Sequence, residues 1–473
     1  MSPFEKAVSR LNSGNVNSLW ELAALLAVLE YFGSHSLDLF PEMHYERPRL
    51  FCEAILASKA TFWHHREYSA DDFIKLINWS GEGLLDPRIE QIQHGRERKE
   101  MLFDLTRAAA RWANIQIRYQ DVWNGDLGRC FALYDVVPSK GHFRDEQTAD
   151  LVKRVRARID AFLGCSLTEL LAVYAKVGLW QRQLYENLVH RLDLNPKCRP
   201  TLKRERLQRL RAVLCGLFEC RQLLHPLISF TRSDVLELGS NVVRPEAFTA
   251  FRQCFCADTR TLRSLRARPA YSAGRECWHV SPLERYPVVQ MQGLPRQATR
   301  YVVPNYRFYL RSLPAALDYT LLASLDAEYN QFRGAIFEAY IGMMLQEMYP
   351  NSICLPEREY ARVRAKKMKG PDIAFVEAIG EPLLLFEVKA RRLRADTRSE
   401  MDNSSIDHNL ADVYAALRRL PGKATDLFEG VCEYSEITDV LKTSSRDQAI
   451  GLCILPNVPF AINELTYYTR EPW

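Results

Sequence analysis

The sequence GPDIAFV at 370–376 is followed, after a polar turn, by LLFEVKA at 384–390. Both segments are dense in β-branched and aromatic residues, which is typical of short buried strands. They nevertheless carry Asp372, Glu387 and Lys389, although burying a charge is costly unless a partner compensates it. Because alternate residues of a strand share a face, Glu387 and Lys389 point to one side, and Asp372 at the start of the neighbouring strand can reach it. We therefore expect chemistry at this hairpin.

The whole chain has 473 residues, which favours two or three domains. Its hydrophobic fraction of 47% and charged fraction of 26% are those of an ordinary soluble protein, and its net charge of +5 is too small to identify a partner. The cysteines are scattered singly, which favours free thiols in a reducing compartment. The N-terminus lacks the pattern of a secretory signal, and the longest apolar stretch, 19–32, contains two glutamates and is too short to span a bilayer. We expect a cytoplasmic protein with no membrane partner.

The hydrophobic periodicity divides the chain into three regions. Residues 1–257 predict a run of helices, and residues 258–323, rich in proline and tyrosine, predict a connecting segment or a small α/β element. Residues 324–473 predict helix, strand, strand, strand, helix and strand. These elements are a helix at 326–348, a strand at 352–355 continued by or paired with 360–364, the two hairpin strands, a helix at 407–420 ended by Pro421-Gly422, and a strand at 449–455.

The motif Pro371-Asp372, fourteen residues and then Glu387-Val388-Lys389, set in that order of elements, resembles the PD-(D/E)xK nuclease superfamily. The resemblance covers about the last third of the chain. It implies an α/β nuclease domain with a restriction-endonuclease-like αβββαβ core, preceded here by a large, mostly α-helical region. It also implies a metal-dependent enzyme that hydrolyses phosphodiester bonds and leaves the phosphate on the 5′ side.

The ligand types then define the expected metal. Carboxylate oxygens select Mg²⁺ or Mn²⁺ over softer metals. The resemblance implies that Asp372 and Glu387 hold the ion together with the backbone carbonyl of Val388, and that Lys389 orients the attacking water and stabilises the anionic transition state. The alternative for these residues is a surface hairpin with a cross-strand ion pair. Apolar residues on both sides of the charged positions favour the metal site.

Glu338 is a further candidate ligand, on the first predicted helix of this region. Gly334 and Gly342 fall four residues to either side, on the same stripe of the helix. An interior glycine costs about 1 kcal/mol relative to alanine, so the pair indicates a close approach of the helix backbone to a sheet or a ligand. The resemblance implies that Glu338 joins the metal site, and a solvated helical glutamate is the alternative.

Two basic runs bracket the hairpin. The residues that we expect to contact phosphates are Arg362, Arg364, Lys366, Lys367 and Lys369 before it and Arg391 and Arg392 after it. An isolated run of charge is usually a solvated loop, but two runs around the same carboxylates favour a nucleic-acid interface. The resemblance also implies a glutamine or lysine from the second predicted helix, where the candidates are His408, Asn409, Asp412 and Tyr414, an imperfect match.

Several alternatives stay open at this point. DNA is the substrate that the superfamily favours, and RNA, including tRNA, is the alternative, as is a non-catalytic nucleic-acid-binding module of the same fold. Arg88 and His94 match the loose spacing of helical HEPN ribonucleases. A second basic run, 197–211, is either a further contact surface or a solvated helix face. The motif Cys254-x-Cys256 lacks the paired knuckles of a zinc site.

The large helical region is expected to select the substrate, sense a trigger or bind a protein partner, because an unrestrained nuclease would damage its own cell. This organisation resembles bacterial antiviral defence and restriction effectors at the level of domain arrangement. The sequence leaves open whether the chain forms a homodimer.

The site assignment makes a first prediction. Replacing Asp372 or Lys389 by alanine should abolish cleavage while leaving the fold intact, because each removes a group that the reaction requires. The measurement is a nuclease assay with circular dichroism on the same samples. Cleavage by either variant at the wild-type rate means that the assignment is wrong.

Overall fold

The structure is a computed structural model that describes residues 2–36, 46–66, 68–81, 132–141, 143–193, 203–239, 242–267, 281–293, 297–361, 367–378, 381–390, 403–432, 434–443 and 449–454. The chain divides into two compact units. The first comprises Met1–Leu127, Leu163–Thr320 and Arg398–Glu400, and the second comprises Gly128–Phe162, Leu321–Thr397 and Met401–Trp473. This division differs from the one based on sequence, because 128–162 joins the C-terminal elements and most of 258–323 joins the first unit.

The helices in chain order are α1 Pro3–Leu11, α2 Val16–Ser36, α3 Glu46–Ala57, α4 Ala70–Gly81, α5 Val137–Lys140, α6 Glu146–Leu163, α7 Leu167–Arg191, α8 Lys203–Ile228, α9 Arg232–Glu237, α10 Pro245–Phe255, α11 Thr259–Arg266, α12 Tyr306–Met348, α13 Asn403–Phe428 and α14 Thr438–Thr443. A π-helical turn, Ala132–Val136, leads into α5, and 3₁₀ turns lie at Pro282–Glu284 and Ser435–Ile437. The helix predicted around 102–113 lies outside the described residues.

The strands are β1 Cys256–Asp258, β2 Val288–Gln290, β3 Tyr301–Val302, β4 Ile353–Pro356, β5 Glu359–Ala361, β6 Lys367–Lys369, β7 Ile373–Val376, β8 Leu384–Val388 and β9 Ile450–Ile454. They form a three-stranded sheet β1-β2-β3 in the first unit, and a four-stranded sheet β4-β7-β8-β9 and a hairpin β5-β6 in the second.

The first unit is a helical body around an aromatic core. Tyr174 of α7 stacks on Tyr309 of α12 with ring centroids 4.1 Å apart, and its edge meets Phe255 of α10. Trp20 is fully buried, and its indole N–H donates to the Thr259 hydroxyl at 3.0 Å. Such large aromatic rings bury much apolar surface each, so a few of them suffice to hold several helices together.

The second unit has the order helix, strand, strand, strand, helix, strand, with the β5-β6 hairpin inserted after the first strand. Strands β4, β7 and β8 pair antiparallel, whereas β9 pairs parallel to β8 after the crossover through α13. The segment at 360–364 therefore does not extend β4: its described part pairs as β5 with β6.

The predicted end of the second helix at Leu420 is wrong. Helix α13 continues through Pro421 and Gly422 to Phe428. A proline inside a helix costs about 3 kcal/mol or more because one hydrogen bond is lost and the ring clashes. Here Leu420, Ala424 and Leu427 are buried at helical spacing in the core under the sheet, so burial of this face continues past the proline and offsets its cost.

The four-stranded sheet is covered on both faces. On one face Ala374, Val376 and Leu385 pack against the buried face of α13. On the other face Phe375, Phe386 and Val388 pack, with Ile373, against Phe337 of α12. A charged side chain on β7 or β8 is consequently placed in an apolar layer and needs a partner there.

Among the described residues, no single helix is both long and apolar enough to cross a membrane, although α6 and α7 would pass such a test as a pair. The cysteines in the same part of the chain are free thiols.

The seating of α13 on β9 makes a second prediction. A Cβ atom at Gly451 would lie 3.0 Å from Cδ1 and 3.2 Å from Cβ of Leu420. Gly451→Val should therefore lower the free energy of unfolding by about 1–3 kcal/mol through overpacking, as measured by urea denaturation. The matched control is Gly334→Ala on α12, where a Cβ meets no described atom within 4 Å. Its helix should gain about 0.5–1 kcal/mol. Equal stability of the valine variant and the wild type would contradict this packing.

Candidate active site

Two carboxylates meet at the start of β7 and the end of β8. Ile373 pairs with Phe386, so extending this antiparallel register by one residue sets Asp372 opposite Glu387. Oδ2 of Asp372 accepts a hydrogen bond of 2.6 Å from the backbone N–H of Val388. Lys389 Nζ lies 3.2 Å from that same Asp372 oxygen and 2.8 Å from Oε2 of Glu387. One ammonium group thus bridges both acids, as the strand alternation predicts.

A second lysine, which the sequence analysis missed, completes this cluster. Lys423 of α13 donates to Oε1 of Glu387 and, at 2.6 Å, to the backbone carbonyl of Gly370. Its side chain is only 13% exposed. The predicted helix ends at Leu420, so it does not include Lys423, whereas α13 continues to Phe428. The signal that could have revealed it is the buried spacing of Leu420, Ala424 and Leu427, which continues the helix through position 423.

The two lysines determine the charge of Glu387. Burial alone would raise the pKa of this carboxyl, but the hydrogen bonds from Lys389 and Lys423 outweigh that effect and lower its pKa. Burial likewise opposes the charged form of Lys389, and the negative charges of Asp372 and Glu387 overcome it and raise the pKa of the ammonium. Glu387, with its side chain 2% exposed, is therefore held ionised in the middle of the sheet.

The pKa values of Asp372 and Glu338 are raised, in contrast to that of Glu387. Burial and the neighbouring Glu387 raise the pKa of Asp372. Burial, followed by the negative charges of Asp372 and Glu357, raises the pKa of Glu338 to about 8. Excess negative potential therefore accumulates where α12 faces the start of β7, and a positive group placed there would be favoured.

Glu338 and Asp372 line one cleft of about 530 Å³ that opens to solvent. Helix α12 lines the cleft with the small residues Ala335, Ala339 and Gly342 around Glu338, and with the longer side chains of Met343 and Gln346. The facing wall is formed by Phe143, Arg144 and Thr148. Phe143 and Arg144 precede α6, and Thr148 lies in its first turn. The sequence predicts this segment as part of the N-terminal helical region, and no motif marks these residues.

An ion-pair network borders this cleft. Arg144 Nη1 lies 2.6 Å from Oε2 of Glu357, whose side chain is 7% exposed. Lys369 Nζ lies 3.2 Å from that same oxygen. The positive charge of Arg144 also acts on Glu338, whose pKa it lowers in part. Arg144 thus connects the cleft, which it lines, to the buried carboxylate of Glu357.

The glycines flanking Glu338 do not mark a close approach to the sheet. A Cβ at Gly334 or Gly342 would meet no atom of the described residues within 4 Å. Gly342 lines the cleft, and close approach of a ligand to this helix stays a prediction.

The predicted phosphate contacts fall mostly beyond what the structure describes. Arg362, Arg364, Lys366, Arg391 and Arg392 lie outside the described residues, as do Arg88 and His94 of the HEPN alternative. Lys367 lies on β6 without a described side chain, and the same holds for His408, Asn409, Asp412 and Tyr414 on α13. Lys369 is exposed and pairs with Glu357. Arg211 of the second basic run pairs with Asp71.

The expected metal ligands are not gathered into a ready-made cage. In the part of the chain that the structure describes, no group of three or more His, Cys, Asp or Glu side chains is arranged to hold a metal ion. Both oxygens of Glu387 and one of Asp372 are instead engaged by lysines.

No protein-family model matches the chain, and no curated protein or solved structure matches it significantly. What the site does must therefore follow from its own residues and geometry.

The raised pKa of Glu338 makes a third prediction, for metal-free buffer containing EDTA. The folded protein retains a proton that the unfolded chain releases above pH 4.5, so this stabilisation is complete below about pH 4.5 and is lost as the pH rises through about 8. Glu338→Gln removes the titration. Its stability relative to the wild type should consequently increase from about pH 5 to about pH 9, as followed by thermal unfolding. A stability difference between Glu338→Gln and the wild type that does not vary with pH would contradict the raised pKa of Glu338.

Proposed function

We propose that this protein is a metal-dependent nuclease that hydrolyses phosphodiester bonds, with an active site in its second unit and an αβββαβ core of the restriction-endonuclease type. One observation carries the proposal: a single lysine, Lys389, bridges two buried carboxylates, Asp372 and Glu387, at one end of the two central strands of a sheet that is otherwise apolar. Burying three charged groups together is unfavourable unless the protein uses them.

The donor set supports a hard divalent cation. Asp372, Glu387 and the Val388 carbonyl would hold Mg²⁺ or Mn²⁺, and Glu338 would join them from α12, since all these donors are oxygen atoms. The raised pKa values of Glu338 and Asp372 reflect negative charge without enough compensation, which a cation would relieve. When bound, such an ion supplies a water of lowered pKa and neutralises charge on the phosphate.

The chain's own groups then have separate roles. Lys389 Nζ reaches both carboxylates, so it is placed to orient a water beside them and to stabilise the negative charge that develops on the phosphate. Lys423 orients Glu387 through Oε1 and ties α13 to the Gly370 carbonyl. The Val388 N–H fixes Asp372. The resemblance implies a lysine or glutamine from this helix, and Lys423 meets that expectation.

The proposed substrate is DNA, because this is the substrate that the resembled superfamily favours, and RNA, including tRNA, is the alternative of the same chemistry. The groups at the site act on a phosphate and do not read the sugar. The first unit is proposed to restrict this activity by selecting the substrate or binding a partner, as in an antiviral defence or restriction effector.

A second candidate is a nucleic-acid-binding module of the same fold that does not cleave. The observation that favours it is that lysines engage both oxygens of Glu387 and that no three-ligand group is formed among the described residues. In such a module the lysines would neutralise the acids permanently and no metal would enter.

The deciding experiment, and the fourth prediction, is a cleavage assay on duplex DNA, single-stranded DNA and tRNA with Mg²⁺, with Mn²⁺ and with EDTA. We expect cleavage of at least one substrate that needs the metal and is abolished in Asp372→Asn. Lys423→Ala should reduce the rate about 10-fold or more, because Glu387 loses one of its two orienting partners.

The matched control is Lys442→Ala. This lysine of the same unit forms an exposed ion pair with Asp439 and no other ion pair among the described residues, so the variant should cleave like the wild type. Binding of nucleic acid with no cleavage under either metal would favour the non-catalytic module. Cleavage that persists in EDTA would contradict both candidates and point to the HEPN alternative.

A further inference from the structure

Arg144 lies in the same cleft as Glu338 and Asp372, although it comes from a part of the chain about two hundred residues earlier. It precedes α6 and does not belong to the αβββαβ elements. Its position depends on the docking of 128–162 within the second unit, where Leu133 packs on the apolar cluster of β7 and β8 and the Tyr134 and Tyr329 hydroxyls lie 3.3 Å apart. The proposed site therefore receives a cation that the resemblance does not anticipate.

Two of the three guanidinium nitrogens of Arg144, Nε and Nη1, are held by the protein. Nε donates to the Thr148 hydroxyl at 3.1 Å and lies 3.2 Å from Asp145, while Nη1 lies 2.6 Å from Glu357. Asp145 is itself fixed, since its carboxylate accepts the Thr148 N–H of the first turn of α6 at 2.6 Å. The side chain thus has a defined direction before any ligand binds, which reduces the entropy lost on binding.

The third guanidinium nitrogen is available. Nη2 of Arg144 has no hydrogen-bond partner among the described residues, and 35% of the side chain is exposed where it borders the cleft. A planar guanidinium with donors left over is well suited to a phosphate, which it contacts through charge-assisted and often paired hydrogen bonds. At Gly342, which also lines the cleft, a Cβ would meet no described atom within 4 Å, so there is room at this point of α12 for a nucleic-acid backbone.

We propose that Arg144 binds a phosphate of the nucleic-acid backbone in the cleft beside Glu338 and Asp372. This inference rests on the proposed nuclease function and extends it, because it places the path of the strand between α12 and the start of α6. The contact is with a phosphate oxygen, so it contributes affinity and position but no sequence preference.

The test, and the fifth prediction, measures the binding of fluorescent duplex DNA and of tRNA in EDTA over a series of NaCl concentrations. Arg144→Ala should weaken binding about 10-fold, the order expected for one charge-assisted hydrogen bond. It should also reduce the slope of log K against log salt by about 0.9 for the duplex, because one fewer counterion is released. Arg144→Lys should retain the slope and recover part of the affinity. The nucleic acid that shows these changes identifies the substrate class.

Arg158→Ala is the matched control. Arg158 lies on α6, pairs with Glu328 and is 49% exposed, but it does not line the cleft. It has the same charge as Arg144 and lies on the helix that Arg144 precedes, but it is away from the cleft, so its removal should leave affinity and slope at the wild-type values. If Arg144→Ala behaves like Arg158→Ala, the proposed contact is wrong.

A steric variant tests the same path without changing any charge. Gly342→Leu should fill the cleft and reduce binding and cleavage about 10-fold or more, whereas Gly334→Leu, about two turns earlier on the same stripe of α12 but outside the cleft lining, should do neither. Thermal unfolding of all variants excludes loss of the fold as the cause.

If cleavage is lost in Asp372→Asn but unaffected in Arg144→Ala and Gly342→Leu, the Arg144 inference is wrong and the proposed nuclease function is retained. Cleavage that does not require a metal, or binding with no cleavage by the wild type, would overturn the proposed nuclease function. The salt dependence of binding would still decide whether Arg144 contacts a phosphate.

Discussion

The second unit depends on keeping one carboxylate, Glu387, ionised inside a sheet that is buried on both faces. Two lysines do this, one on each oxygen: Lys389 follows Glu387 by two residues on the same strand, and Lys423 comes from the helix that covers the sheet. Removing a charge from water costs several kcal/mol, so neither lysine can leave without penalty. The register of β8 and the seating of α13 are therefore tied to the same carboxylate, and the fold and the candidate site share their determinants.

Much of the second unit could be predicted because its signals are local. A strand repeats every two residues, so the side chains of Glu387 and Lys389 had to share a face, and a short hairpin had to bring Asp372 close to them. The strand at β9 and the C-terminal half of the long helix ahead of β4 were likewise predicted from their apolar patterns, but α12 begins at Tyr306, twenty residues before the predicted start at 326. Membership of the nuclease superfamily, which rests on the same residues, stays a prediction.

The remainder of the site could not be predicted, because it depends on tertiary contacts. Pro421 is a strong local signal for a helix end, and only the buried face that α13 presents to the sheet outweighs it, so the predicted helix ends before Lys423. Arg144 carries no local signal at all, since its significance arises from Glu357, a residue far along the chain. The glycines around Glu338 indicated a close approach, but a pattern cannot distinguish a neighbouring sheet from open space.

The second unit is discontinuous, and this affects how the protein can be made. Residues 128–162 leave the ribosome before the roughly 160 residues of Leu163–Thr320, which belong to the first unit. At about 5–20 residues per second, the early segment waits on the order of ten to thirty seconds before α12 and the sheet can receive it. Its apolar residues, such as Val152, Val155 and Ile159, which are buried in the finished protein, are without their own unit's core for that time. The nuclease candidate can be completed only after the first unit has been synthesised, so a truncated chain that contains the early segment but not the sheet has no finished site.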